Sequence, residues 1–468
     1  MNLDKSLLKK NPSCLPAGTG SPAGLLGMTF GYHIVTFGCQ MNKNDSERVE
    51  AILRPMGMQS VETPEEADVI LINSCSIRAS AEDRVFGMTR NFQALKKKKP
   101  HLIVAVTGCM PGRDKDGKLE NTIQGVDLFF PTKDMVMLPK WLSELNPNLR
   151  PIDLDADYLS VSPIHHVKAQ AFVTIQTGCN HFCTYCVVPF ARGLEGNRSL
   201  KSILDEVRDL ADHGCLEITL LGQIVNHYIA PDKEYFSPQN PYHKNEFAKL
   251  LWEINQIEGI ERVHFTAPHP IYMDDEMIDA LTLPTQLNFI HLPVQSGNSA
   301  MLEKMNRRHT REQYLETIQK IRAKRPGIAI ATDIIVGFCG ETEEQFHDTV
   351  SLYQHCDFDI SYTAKYSQRS GTLAAKMFVD DVSVEEKKRR WFLLQHIMED
   401  STKRKNQAYI GKEVSVLVDT YKNGICQGNS SEMKRVMFDG GEELFGTIVS
   451  VKIEKAEMWI LVGNMVYC

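Results

Sequence analysis

At 468 residues the chain exceeds one ordinary hydrophobic core, so two or three domains are expected. Hydrophobic residues at 43% and charged residues at 24% exclude disorder as the main state. A formal net charge of −7, from 52 basic and 59 acidic residues, excludes a global positive field that would gather nucleic acid non-specifically.

No apolar run approaches the roughly 18 residues of a membrane span, so no membrane partner is expected. The first stretch, residues 1–28, sets Lys9 and Lys10 among Pro12, Pro16, Gly18, Gly20 and Pro22 without a continuous apolar centre. It reads as a flexible tail, with a processed targeting segment as the alternative. Twelve cysteines without an export signal argue for a reducing, cytoplasmic setting in which thiols serve metals or catalysis rather than disulfides.

Three apolar runs then end in a cysteine: 33–39 (HIVTFGC), 69–75 (VILINSC) and 102–109 (LIVAVTGC). Each predicts a buried strand. Cys39, Cys75 and Cys109 stand 36 and 34 residues apart, the length of a strand-helix-strand unit, and segments 45–53 and 79–95 carry helical character. A parallel sheet follows, and its strand ends share one edge, where the three cysteines would meet. For each thiol alone a buried, inert role is the competing reading.

From 172 onward strand-like runs at 172–176, 217–221, 262–266, 289–292, 328–335 and 359–366 alternate with helical patterns at 203–213, 246–257, 311–324 and 343–355. The alternation predicts a partial or complete (β/α) barrel with its working residues at the strand C-terminal ends. A charged helix at 384–405 leads to short β segments at 413–418, 434–438, 444–453 and 458–462, with turn signals at 422–424 and 439–441, as in a small β-barrel. The fold class is thus α/β, with expected domains at 29–150, 165–402 and 407–468.

The densest chemistry lies in GCNHFCTYC, where Cys179, Cys183 and Cys186 are spaced by three and two residues. Three thiolates in so short a loop suit one face of an iron-sulfur cubane and leave the fourth iron open to a small chelating ligand. A zinc site with His181 or an outside residue as fourth ligand is the alternative.

With its spacing the triplet resembles the signature of the radical-SAM superfamily, whose core is a partial (β/α) barrel. More closely, TFGCQMNKNDSE, NSCSIRASAEDRVFG, GCNHFCTYCVVPFARG, LLGQIVN, HLPVQSGNSAMLEKMNRRHT and DIIVGFCGET resemble the methylthiotransferases that act on isopentenyl-adenosine in tRNA, over residues 31–468. The resemblance implies two 4Fe-4S clusters, one on Cys179, Cys183 and Cys186 and an auxiliary one on Cys39, Cys75 and Cys109. It implies two molecules of S-adenosyl-L-methionine (SAM), one methylating a sulfur at the auxiliary cluster and one cleaved to a radical that abstracts hydrogen from carbon 2 of adenosine 37, beside the anticodon, before the methylthio group is transferred.

Tyr185, Arg198, Gln223, Gln295 and Asp333 are the candidate SAM contacts, each weighed against a structural role. A flavodoxin or ferredoxin is the expected electron donor, and the last β segment resembles an RNA-binding TRAM module whose Lys422, Lys434 and Arg435 would meet phosphates. The basic runs 96–99, 307–309, 387–390 and 403–405 extend that track or simply solvate helix faces. Departures from the family pattern stand at Asn197, Ser199, Cys339, Gln368 and Ser370. Methylthiolation of threonylcarbamoyl-adenosine in tRNA or of a ribosomal protein is the neighbouring alternative, and a non-catalytic, metal-stabilised RNA-binding protein is the distant one.

Overall fold

The computed structural model describes residues 30–76, 79–154, 157–166 and 169–466. The expected tail at 1–28 lies outside them, as do Cys14 and Cys468. Two compact units emerge, one built from the chain up to His165 with the inserted pieces Thr177–Asn180 and Val187–Gly196, the other from the rest.

The first unit runs β1 (Phe30–Thr36), α1 (Gln40–Leu53), β2 (Met58–Ser60), β3 (Val69–Ser74), α2 (Ala79–Lys98), β4 (Ile103–Gly108), α3 (Cys109–Arg113), α4 (Lys118–Thr122), β5 (Leu128–Phe129) and α5 (Leu138–Leu145). Its strands are ordered β2-β1-β3-β4-β5 and every pair is parallel. Helices cover both faces, so β3 and β4 are buried at every position. That burial explains why VILINS and IVAVTG read as unbroken runs rather than alternating ones.

The second unit carries β6 (Gln170–Thr174) and, around the inserted pieces, the chain continues through β7 (Gln176–Thr177), α6 (Val188–Arg192) and β8 (Gly196–Asn197). Then come α7 (Leu200–Asp212), β9 (Glu217–Leu221), α8 (Glu246–Asn255), β10 (Arg262–Phe265), α9 (Asp275–Ala280), β11 (Phe289–His291), α10 (Ser299–Lys304), α11 (Arg311–Lys324), β12 (Ala329–Val336), α12 (Glu343–Cys356) and β13 (Ile360–Lys365). The six principal strands are all parallel, in two triplets β6-β9-β10 and β11-β12-β13 joined by a bridge between Val263 and Gln286. This open arc is the expected partial barrel. Helices start where the sequence signals them: Thr310 with Gln313 and Thr342 with Gln345 form capping boxes at α11 and α12.

After α13 (Leu373–Met377) and the long α14 (Val384–Gln407), strands β14 (Glu413–Lys422), β15 (Ile425–Ser430), β16 (Arg435–Asp439), β17 (Ile448–Ala456) and β18 (Leu461–Met465) close into a barrel. Its first hairpin turns at Asn423 and Gly424, both at positive φ (52° and 83°), as an Asn-Gly turn should. Sequence reading missed β15 because its inward positions are small. A Cβ on Gly428 would lie 2.7 Å from the carbonyl carbon of Leu417 on β14, so the tight crossing requires glycine where a strand signal would want a bulky residue.

This small barrel belongs to the second unit and docks on the strand N-terminal ends. Arg262 donates to the carbonyls of Asn429 and Ser430, both at 3.1 Å, Asn288 Nδ2 donates to Glu432 (3.1 Å), and Lys434 pairs with Asp359 (3.1 Å). Lys434 is therefore buried and neutralised rather than held out for phosphate, and Arg435 pairs with Asp419 at 2.6 Å. Lys422 alone of the three stays exposed without such a pairing.

Candidate iron-sulfur and SAM site

In the first unit the sheet order makes β1, β3 and β4 neighbours, so the residues just past their C-terminal ends share one edge. Cys39 is the N-cap of α1, Cys75 directly follows β3, and Cys109 opens α3 directly after β4. The chain reaches these positions through left-handed glycines: Gly38 at φ 132° and Gly108 at φ 100°. A Cβ on Gly38 would stand 3.0 Å from that of Cys75, which leaves no room for a side chain where the two loops meet.

A buried polar network holds the loops. Asn42 Oδ1 accepts from the Cys39 thiol (3.5 Å), while its Nδ2 donates to Asn73 Oδ1 (3.0 Å) and the Ser74 carbonyl (3.2 Å). Ser74 Oγ donates to Thr107 O (2.6 Å), and Ser76 Oγ and Arg113 converge on Glu82 at 2.6 and 2.8 Å. Asn42, Asn73, Ser74, Ser76, Glu82 and Thr107 stand inside the motifs and runs quoted above and Arg113 outside them, and none is assigned a role from sequence. The available signal was polar side chains beside the cysteines of otherwise apolar strands.

Burial pushes the Cys109 thiol up to about 11; Arg192 opposes the rise, and the thiols of Cys75 and Cys39 add to it. Cys75 and Cys109 are buried and Cys39 is exposed, so the edge opens to solvent at one thiol, and the buried Cys109 thiol resists ionisation unless a cationic centre compensates it. Arg192, on α6 of the inserted piece, pairs with the fully buried Asp45 at 2.6 Å, and Tyr158 also donates to Asp45. Helix α3 packs on α6 so closely that a methyl group at Gly112 would meet the Ala191 carbonyl. Cys179, in the first inserted piece, donates its backbone N–H to Gly193 O (3.1 Å).

In the second unit Cys183 is buried, beside Tyr185 and the partly exposed Cys186. Asn306 Nδ2 donates to the carbonyls of His181 (2.8 Å) and Phe182 (3.1 Å), and Thr184 bonds Met305 and Lys304 through its amide (3.1 Å) and hydroxyl (3.0 Å). Arg307 donates to Cys183 Sγ at 3.6 Å. Burial raises the Tyr185 hydroxyl well above its usual range, with Arg307 opposing and Cys183, Cys186 and Asp333 adding to the rise, which places these five groups within electrostatic reach.

The other SAM candidates divide. Gln295, at φ 73° and 8% exposed, is tied by backbone bonds to Asp333 (2.8 Å) and Ile335 (2.9 Å). A left-handed glutamine is strained, and such strain persists where the surroundings dictate it. Asp333 Oδ1 lies 3.1 Å from His291 Nε2. Gln223, just past β9, keeps a buried Oε1 without a hydrogen-bond partner. Arg198 stands apart: its guanidinium is engaged by Glu206 and Ser202 of α7 and by Thr174 O, so its observed bonds are structural.

His181, the alternative zinc ligand, bonds Tyr272 OH through Nε2 (2.8 Å), and its ring lies 4.8 Å from that of His269. Burial, reinforced by Arg307, holds His309 down at about 4 and His269 lower still, so both imidazoles are neutral. Among the described residues no three His, Cys, Asp or Glu are gathered closely enough for a single metal ion. In a cubane the three thiolates bind three different irons.

Of the family departures, Ser199 caps α7 through Ser202 N, Asn197 accepts from Gln176 Nε2 (3.1 Å), and Cys339 is buried. The basic runs are mostly spent internally: Lys96 on Asp127, Lys99 on the Ala67 carbonyl (2.7 Å), Lys387 on Asp380, Arg390 on Glu341 and Lys405 on Asp357. No helix among the described residues is long and apolar enough to cross a membrane.

Residues 31–131 match the Uncharacterized protein family UPF0004, and residues 173–353 match the Radical SAM superfamily. The chain is 40% identical to the tRNA-2-methylthio-N(6)-dimethylallyladenosine synthase of Caldicellulosiruptor saccharolyticus, covering 93% of this chain and 92% of that one. It is 41% identical to the enzyme of the same name from Thermoanaerobacter sp. strain X514, covering 94% and 93%. Among solved structures it is similar to the radical S-adenosylmethionine methyltransferase TsrM of Kitasatospora setae (TM-score 0.54, 13% identity, 74% of this chain and 77% of that one), a likeness of fold. Membership of the Radical SAM superfamily brings with it SAM and a 4Fe-4S cluster as cofactors. On the identity and coverage of these relatives, the chain belongs to the tRNA-2-methylthio-N6-dimethylallyladenosine synthase family of radical-SAM methylthiotransferases.

Proposed function

We propose that this enzyme transfers a methylthio group to carbon 2 of N6-dimethylallyl (isopentenyl) adenosine at position 37 of tRNA, using two SAM molecules and two 4Fe-4S clusters. One cluster is held by Cys179, Cys183 and Cys186 and the other by Cys39, Cys75 and Cys109. The observation that carries the reading is the second trio: three cysteines far apart in sequence stand just past the ends of three adjacent parallel strands. The substrate follows the relatives' name. The functional division proposed is 29–150 for the auxiliary cluster, 165–402 for SAM and 407–468 for RNA, with a flavodoxin or ferredoxin as electron donor.

The residues fit the groups. Three thiols at one strand edge, two of them buried and one exposed, suit a centre that compensates the ionisation of Cys109, and a buried guanidinium against Cys183 suits a thiolate-bound cluster of net negative charge. When bound, the clusters and SAM supply the radical and methyl-sulfur chemistry that turns an unactivated C–H bond into C–S–CH3. The chain's own work is positioning. Asn42, Asn73 and Ser74 lock the strand-end loops, and Asn306 and Thr184 fix the cysteine loop. Tyr185, Gln223, Gln295 and Asp333 offer SAM an aromatic face, an unsatisfied amide oxygen and a carboxylate.

Iron and sulfide counting after anaerobic reconstitution tests the reading: about eight irons per chain are expected in the wild type, and about four in a C179A/C183A/C186A variant, which should also lose all SAM cleavage. Stoichiometric zinc without iron would sink it. So would unchanged 2-methylthio-N6-dimethylallyladenosine in tRNA from cells lacking the protein.

A further inference from the structure

Arg307 follows α10 with a left-handed residue on either side, Asn306 (φ 57°) and Arg308 (φ 58°), a backbone that only firm anchoring maintains. The anchors are the bonds of Asn306 and Thr184 described above, together with His309 Nδ1, which lies 3.0 Å from the Arg307 carbonyl. All of them serve to hold one side chain against the cysteine loop. That side chain is 6% exposed. Its Nη2 donates to Pro293 O (3.0 Å), its Nη1 to Cys183 Sγ (3.6 Å), and its Nε is buried without a partner.

Among the described residues no carboxylate pairs with this guanidinium. The contrast within the same unit is sharp, because the buried Arg390 has Glu341, Arg262 has Glu217 and Arg198 has Glu206. A guanidinium cannot shed its proton, so burial without an anion is a standing penalty. One carbonyl and one thiol do not remove it.

We propose that Arg307 is the built-in counter-ion of the cluster at Cys179, Cys183 and Cys186, a positioning residue that sets the reduction potential of that cluster. The inference rests on the cluster reading given above. Reduction adds one negative charge to the cluster. A fixed cation with an N–H aimed at a ligand sulfur stabilises the reduced form more than the oxidised form, and so raises the potential. In sequence Arg307 belongs to a basic run that would extend a phosphate track or solvate a helix face. The structure turns it inward.

The test is an EPR-monitored redox titration of the full chain, reconstituted with iron and sulfide, following the cluster signal that changes when SAM is added. R307M should lower the midpoint enough that, at the wild-type midpoint, the reduced-to-oxidised ratio falls at least tenfold, a shift of about 59 mV for a one-electron couple. R307K keeps the charge, and its ratio should stay within about threefold of the wild type. Iron content should be unchanged in both. An R307M ratio within twofold of the wild type, or an R307K drop as deep as that of R307M, overturns the proposal while leaving the cluster reading intact. If R307M fails to retain iron, R307K decides alone: within threefold supports, tenfold overturns. A wild type without any SAM-responsive cluster signal overturns both readings.

Discussion

Asp45 offers the sharpest test of how the first unit is held together. It is fully buried, accepts from Arg192 at 2.6 Å and from the Tyr158 hydroxyl, and Arg192 itself is only 4% exposed in its side chain. Replacing Asp45 by Asn keeps the shape and removes the charge, leaving the Arg192 guanidinium buried and unbalanced. Breaking a buried pair from one side costs about 3–5 kcal/mol, because the loss is a stranded charge rather than a missing attraction. Replacing both partners with apolar residues of similar volume, as in D45L/R192M, should cost under about 1.5 kcal/mol for the same reason. The two units need not unfold together, so a single melting temperature would be ambiguous. Amide hydrogen exchange over α1 and α6 reads the effect locally. D45N should speed exchange there by about two to three orders of magnitude, and removing the exposed Lys118–Asp116 pair should leave it unchanged. If D45N leaves exchange within about fivefold of the wild type, or the double variant is as damaging as the single ones, the charge-balance reasoning is wrong.

Two further outcomes follow from local geometry. A Gly112→Ala methyl would come within 2.8 Å of the Ala191 carbonyl carbon, and overpacking of this kind costs about 1–3 kcal/mol. Because Cys109 shares the five-residue helix α3, iron counting should show selective loss of the auxiliary cluster while SAM cleavage persists. Asp232 accepts from Ser199 Oγ (2.7 Å) and from the amides of Leu200 (2.6 Å) and Lys201 (3.0 Å) at the start of α7. Partial desolvation pushes this carboxyl up but is outweighed by those bonds, so its folded value lies below the usual range. The stabilisation is present above the unfolded value of about 3.9 and fades as pH falls through the lower, folded one. Asp232→Asn should therefore cost about 0.5–1 kcal/mol at neutral pH, read by amide hydrogen exchange over α7, and the gap should close in acid.

Much of this was legible because burial and helix caps leave local marks in the sequence. The runs at 69–75 and 102–109 became β3 and β4 nearly residue for residue, since fully buried parallel strands write their burial as unbroken apolar runs. Helix α11 came out at 311–324, since Thr310 and Gln313 mark its start. Strand β15 was missed where close crossing demands Gly428, and no propensity argument anticipates a glycine chosen by a neighbouring backbone. The edge that gathers Cys39, Cys75 and Cys109 follows from topology, but the partners that tie Asn42 and Glu82 across loops, Asn73 and Arg113, lie 31 residues away, beyond any local pattern. Arg192, in the inserted piece, and Asp45 stand 147 residues apart, and no local pattern encodes such a pairing.

Charge was the least readable property, and its resolution bears on how the proposed substrate is met. Lys96, Lys387, Arg390, Lys405 and Lys434 look alike in sequence, yet each is paired with a carboxylate. Arg307 is turned onto a cysteine instead. Counterion release can draw only on cations outside such pairs, among them the exposed Lys97, Lys98 and Lys403. Recognition of a tRNA base, on the reading proposed, also needs a pocket that receives it once it is splayed from its neighbours. The same economy explains the small barrel. Arg262 and Lys434 are committed to docking it on the strand N-terminal ends, and on the reading proposed the exposed Lys422 at its hairpin tip stays available to RNA.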